Sequence, residues 1–161
     1  MRTRILLSLM FVLAVLADQA SKFAVDSFFN LYDSRDIIGN VVRLQYIRNS
    51  GAVFGINLGN PNVMLTITII VTVVLLYLIL SGKIVPDNIL GKIALVMVLS
   101  GAAGNLIDRI RMGEVIDFID MGIGYHRWPT YNLADAYVTC GVIILIYFQI
   151  FLLKNTDSAE A

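Results

Sequence analysis

A single cysteine and a single histidine occur among the 161 residues. One thiol, Cys140, excludes an internal disulfide and leaves the redox compartment unread. One imidazole, His126, with no H-E-x-x-H in the chain, leaves too few good ligands for a zinc site, so neither a metal nor a cofactor is expected. Charge is scarce too: 15% of residues are charged, 12 of each sign, for a formal net charge of zero. No basic patch interleaved with aromatics stands out, so nucleic acid is not an expected partner. Internal repeats and low-complexity tracts are also lacking.

What is present is hydrocarbon. The chain is 58% hydrophobic with a mean hydropathy of +0.78, too apolar for a soluble domain of this length. The expected fold is a mainly α membrane protein. A span needs about 20 apolar residues to cross a core of about 30 Å, and four stretches qualify: Ile5 to Ala24, Val63 to Leu80, Ile93 to Ile110 and Ala134 to Leu153. These spans predict a single integral-membrane domain over residues 1–161. Arg2 and Arg4 ahead of the first run raise the alternative of a cleaved signal peptide, but the run continues to Ala24 without a small-x-small cleavage site.

Four spans put both termini on one face and the two longer connections, Val25 to Asn62 and Arg111 to Leu133, on the other. The chemistry is expected there. Arg2, Arg4, Lys83, Lys92 and Lys154 flank the terminal side, as on a cytoplasmic face, yet the raw Lys/Arg count favours the opposite orientation. VVRLQYI (Val41 to Ile47) and AVFGI (Ala52 to Ile56), separated by the turn residues Asn49, Ser50 and Gly51, predict a small curved sheet outside the lipid. Asn60-Pro61 predicts the start of the second helix, an uncharged lipid-facing wall. GEVIDFIDMG (Gly113 to Gly122) reads as a loop folding back at the membrane surface.

Ionisable groups inside spans are functional candidates by default. Asp18 and Lys22 lie one turn apart and can pair along one face, about 20 Å from Ile5 at 1.5 Å per residue. Two readings stand: a structural ion pair, or a substrate contact. Ser100, Gly101, Gly104, Asn105, Asp108 and Arg109 recur at three- and four-residue spacing and form one stripe. Its small residues suit close helix packing, whereas Asn105, Asp108 and Arg109 offer more hydrogen bonding than packing requires. Asn132, three residues before Asp135, resembles a capping box at a helix start. A cap alone would explain why an apolar helix accepts this carboxylate.

The loop brings a second carboxylate, Asp117, within reach of Asp135. Two carboxylates sharing one site do not both ionise cheaply, so one keeps a proton while the other accepts one from water. That is the chemistry of an aspartic peptidase. The helix N-terminus favours an ionised Asp135 and tilts the proton toward Asp117. Other nucleophiles are poorer: Ser21 and Lys22 are helix neighbours that point apart, Cys140 lacks a local histidine and reads as a small core residue, and His126 reads as interfacial.

Taken together, DQASK (Asp18 to Lys22), RNSGAVFG (Arg48 to Gly55), GAAGNLIDR (Gly101 to Arg109), GEVIDF (Gly113 to Phe118) and YNLADAYV (Tyr131 to Val138) resemble the bacterial lipoprotein signal peptidase family, signal peptidase II. The resemblance covers nearly the whole chain. It implies a four-helix inner-membrane aspartyl endopeptidase with cytoplasmic termini and an extracytoplasmic β-cradle over the active site. The implied partners are membrane lipids and a diacylglyceryl-modified prolipoprotein, cut just before its lipidated cysteine, and the enzyme is expected to be a monomer. Asp117 and Asp135 match the catalytic pair. Asp18, Asn49, Asn105, Arg109 and Asn132 match the other polar positions of the site, and Lys22 the basic residue of the first motif; Asp108 lies within the third. Two rivals come from other classes: a small proton- or ion-coupled transporter relaying through Asp18, Asp108 and Asp135, and a membrane scaffold. The transporter would spread its acids through the bilayer, whereas here they gather toward one face, and the scaffold gives Asp117 no reason to meet Asp135.

Overall fold

The computed structural model describes residues 1–51, 61–81, 88–148 and 150. The elements run α1 (Arg2–Phe28), β1 (Ser34–Ile38), β2 (Val42–Asn49), α2 (Pro61–Ser81), α3 (Ile89–Met112), β3 (Val115–Ile123), β4 (His126–Arg127) and α4 (Leu133–Tyr147). Among the described residues, α1, α2 and α3 are long and apolar enough to cross a membrane, while α4 is a shorter apolar helix of 15 residues. The first three expected spans thus lie inside longer helices. The expected AVFGI strand lies outside the described residues.

The helices are built inside out relative to a soluble protein. On α1, Leu6, Leu9, Leu13 and Leu16 are exposed, and the buried side chains are Asp18, Lys22 and Val25. Lipid accepts leucine readily and unpaired charge not at all, so the polar stripe turns inward. On α2, Pro61 takes the first helical position, where its missing N–H costs nothing. Thr66, Thr68 and Thr72 return their hydroxyls to carbonyls four residues back, which satisfies them without leaving the wall.

α3 packs against the other three helices and organises the bundle. Its small residues let neighbours close in: a Cβ on Gly104 would stand 2.5 Å from Asp18 Oδ2 and 3.2 Å from the Ala134 Cβ. Gly113 ends the helix in the left-handed region at φ 75°, its N–H returning to Arg109 O at 3.0 Å. That conformation suits glycine and turns the chain directly into β3.

The strands form one antiparallel sheet in the order β1-β2-β3-β4. The segment expected as a loop is therefore largely the strand β3. Its alternation is concealed because Val115, Ile116, Asp117 and Phe118 are all buried: a strand covered on both faces loses its polar side. β1 lies outside the strands that the sequence predicts, and its five residues are all exposed. The sheet is held to the bundle by a cluster of Val25, Tyr46, Ile116 and Phe118, with Phe29, Met112 and Leu133 against it. A further correction concerns Cys140, which is exposed on α4 rather than packed in a core; in lipid, that outward face is where a small apolar side chain is comfortable.

Candidate active site

Asp117 sits at the middle of β3 and Asp135 in the first turn of α4, and the cap of that helix joins them. Asn132 accepts the N–H of Asp135 at 2.9 Å, and Asp135 Oδ2 accepts the Asn132 N–H at 3.3 Å, so the expected capping box is formed. With its oxygen committed to the cap, Asn132 turns Nδ2 toward Asp117 Oδ1, at 2.7 Å, and the Ile116 carbonyl, at 3.2 Å. The other oxygen of Asp117 accepts from Asn49 Nδ2 at 2.9 Å. Asn49 is itself fixed by the Gly51 N–H, which it accepts at 2.9 Å.

Below the dyad lies a buried charge cluster. Lys22 Nζ donates to Asp18 Oδ2 at 2.8 Å, to Asp108 Oδ2 at 2.8 Å and to Asn105 Oδ1 at 2.9 Å. All three donors of the ammonium are spent, at 2% exposure. The bond from Lys22 fixes the amide of Asn105, whose Nδ2 then donates to Asp135 Oδ1 at 2.7 Å. Asp18 reaches further and accepts the Ala134 N–H of α4 at 2.9 Å. Asp18 and Lys22 thus form the structural pair, and they also support the helix that carries Asp135.

Arg109 stands at the edge, donating to the carbonyls of Asn105 at 3.5 Å and Gly51 at 3.3 Å. The fold therefore gathers Asp18, Lys22, Asn49, Asn105, Asp108, Arg109, Asn132, Asp117 and Asp135 in one connected region. Ser21 is excluded as a nucleophile, because its hydroxyl bonds the Asp18 carbonyl at 2.7 Å and its neighbouring lysine is fully engaged. Asp120 faces away from the site and holds Arg127 Nε at 2.7 Å.

Sequence reasoning missed Gln19, whose amide donates to Asp108 Oδ1 at 2.9 Å, Asp18 Oδ2 at 3.2 Å and Gly104 O at 3.1 Å. Its place inside DQASK was the available signal. A second missed group, Asp26, Tyr46 and Arg48, joins α1 to β2; nothing in its wide spacing announced it.

The electrostatics separate the two acids. Asp117 is pushed up to about 7, first by burial and then by the charge of Asp135, against opposing bonds from Asn49 and Asn132 and the field of Lys22. Asp135 lies at the head of α4 with two hydrogen-bond donors on its oxygens, Asn105 Nδ2 and the Asn132 N–H. A proton held on one acid beside an ionised partner is what acid–base activation of water requires.

Comparison with known proteins places the chain in a family. The family described as signal peptidase (SPase) II matches residues 10–151. A lipoprotein signal peptidase of Syntrophus aciditrophicus is 40% identical over 139 residues, covering 83% of this chain and 85% of that protein. One from Moorella thermoacetica is 40% identical over 153 residues, covering 94% and 97%. A solved bacterial membrane enzyme superposes with a TM-score of 0.81 at 37% identity, over 94% of this chain and 90% of that one.

Proposed function

Because the chain belongs to the signal peptidase II family, we propose that Asp117 and Asp135 are the catalytic pair of an aspartic endopeptidase. The protein is a protease that cleaves lipoprotein signal peptides. The observation that carries the residue assignment is the single Asn132 side chain that donates to the Asp117 carboxyl and accepts the Asp135 N–H, with Asp117 poised at about 7.

In the proposed mechanism a water lies between the carboxylates. Asp135, ionised at the helix N-terminus, takes its proton as the oxygen attacks the scissile carbonyl, and Asp117 donates to the developing oxyanion. Asp135 then passes its proton to the amine nitrogen as the C–N bond breaks, while a hydroxyl of the diol returns a proton to Asp117, leaving the carboxylic acid, the free amine and the dyad in its starting state. Asn49, Asn105 and Asn132 hold the acids in place, and Arg109 lies at the rim where it can bind substrate backbone. The substrate is a diacylglyceryl-modified prolipoprotein, cut before its lipidated cysteine, with the acyl chains left in the bilayer.

Residues 1–161 act as one integral-membrane domain of the bacterial inner membrane. α4, about 22 Å long over its 15 described residues, serves as the fourth span, which puts both termini in the cytoplasm and the dyad at the extracytoplasmic face.

The test is cleavage of a lipidated prolipoprotein in detergent by Asp117→Asn, Asp135→Asn, the double variant and Asp120→Asn. Each single dyad variant should lose activity by orders of magnitude while remaining folded. The double should be hardly worse, as expected of groups that act as a unit, and Asp120→Asn should retain substantial activity. Near-normal turnover by either folded dyad variant removes the aspartic assignment.

A further inference from the structure

The pairing of β2 with β3 changes phase once. Leu44 pairs with Ile119 and Ile47 with Asp117, so two residues, Gln45 and Tyr46, face the single Phe118. This is a β-bulge. Directly paired residues share a face of a sheet and successive residues alternate, so Ile47 and Asn49 lie on the face of Asp117. Without the bulge, Asp117 would pair with Tyr46, and the residues sharing its face would be Tyr46 and Arg48. Asn49 would then point away from the acid it now bonds at 2.9 Å. One extra residue in β2 decides which side chain meets the dyad.

The bulge has its own clamp. Tyr46 is 3% exposed, with its ring among Val25, Ile116 and Phe118. Its hydroxyl donates to Asp26 Oδ1 on α1 and accepts from Arg48 Nε at 2.9 Å. Arg48 closes the triangle to Asp26 Oδ1 at 3.2 Å. The Tyr46 backbone is tied on both sides, its N–H to Asp33 O at 2.9 Å and its carbonyl to the Tyr32 N–H at 2.8 Å. Tyr46 and Arg48 are thus fastened to α1 on the face opposite the dyad, leaving Asn49 on the other.

We infer that Tyr46 is a positioning residue for the cleavage reaction: its phenol, clamped by Asp26 and Arg48, fixes the β2 bulge that aims Asn49 at Asp117. The inference rests on the aspartic reading above and adds a residue that touches neither substrate nor acid. Asn49 stabilises the Asp117 carboxylate, so a loosened Asn49 raises the pH at which Asp117 gives up its proton. The charged groups within reach of Asp117 are Asp135 on α4, Lys22 on α1 and Arg109 on α3, and all remain in the variants below.

The experiment compares Tyr46→Phe, Asp26→Ala, Asn49→Ala and Tyr46→Phe/Asn49→Ala, with Val25→Ala as a control that weakens the same cluster without touching the clamp. For Tyr46→Phe and Asp26→Ala we expect kcat to fall about 10- to 100-fold, as for sub-ångström to ångström misplacement of a catalytic group, with KM little changed. The alkaline limb of the pH–rate profile should move to higher pH, as in Asn49→Ala, and the double variant should go no further than Asn49→Ala. Val25→Ala should lower the melting temperature and leave the limb in place. A parental limb in both folded Tyr46→Phe and Asp26→Ala, or effects of Tyr46→Phe and Asn49→Ala that add in full, would overturn the inference. If instead Asp117→Asn or Asp135→Asn remains active, the aspartic reading itself has failed.

Discussion

Asn132 donates to Asp117 Oδ1 at 2.7 Å with the same side chain whose oxygen caps the helix of Asp135. The cap and the catalyst are therefore not alternative explanations for a carboxylate at the head of an apolar helix. The capping box gives Asp135 its position, and the spare amide group of the cap extends to the second acid.

The raised pKa of Asp117 predicts a pH dependence with a definite sign. With its proton held to about 7 rather than lost near 3.8, Asp117 can act as the acid at neutral pH, and cleavage should decline as pH rises through about 7. The folded state also binds this proton more tightly than the unfolded chain, so its contribution to stability is full below 3.8 and is lost as pH rises through about 7. Rates and melting temperatures measured from about pH 4 to about pH 8 check both. A flat rate profile across neutrality would contradict the role given to Asp117.

Lys22 should be hard to replace. Lys22→Met leaves Asp18 and Asp108, both essentially without solvent, facing one another with no cation between. The expected loss is roughly 3–5 kcal/mol, together with cleavage activity. Adding Asp108→Asn removes one of the stranded charges and should recover part of the stability. Chemical denaturation of the single and double variants measures the recovery; none at all would mean that the ammonium matters for something other than charge balance.

Gly104→Ala should disturb the site without altering any polar group. The added methyl meets Asp18 Oδ2 at 2.5 Å, so α1 and α3 must separate or the Asp18 carboxylate must turn, which disturbs the bonds of Oδ2 to Lys22 and Gln19 and of Oδ1 to α4. We expect a loss of about 1–3 kcal/mol with reduced turnover, read by thermal unfolding in detergent alongside cleavage.

Lipid on the substrate should matter for positioning. Acyl chains contribute about 0.8 kcal/mol per buried CH₂ and hold the modified cysteine at the depth of the dyad. An unlipidated prolipoprotein should be cut at least about 100-fold more slowly, and equal turnover of the two substrates would count against an interfacial site.

The helices were legible because lipid imposes a length and a hydropathy that no other environment demands, and the capping box because its residues are three apart. The Asp18–Lys22 pair was legible for a similar reason. The links from Lys22 to Asn105 and Asp108, and from Asp108 to Gln19, were not, since they join α1 to α3 across 83 to 89 positions. The segment Gly113 to Gly122 reads as a loop because it links two helices, and Asp117 and Asp120, three apart among apolar residues, give no period-2 signal: both are buried, against Asn49 of β2, Arg127 of β4 and Asn132 at the head of α4. Cys140 was placed inside on the assumption that a small apolar residue is sheltered from solvent, which inverts where the solvent is hydrocarbon.

The bond from Ala134 to Asp18 spans 116 positions and ties the order of synthesis to the moment of activation. The first helix emerges with a carboxylate whose partner amide is not translated until most of the chain has been made. Any product that stops before α4 lacks both Asp135 and the amide that Asp18 accepts, and under the proposed assignment of Asp135 it should be proteolytically silent. On that assignment, a nascent peptidase among its prolipoprotein substrates should begin to cut only when its last helix has docked.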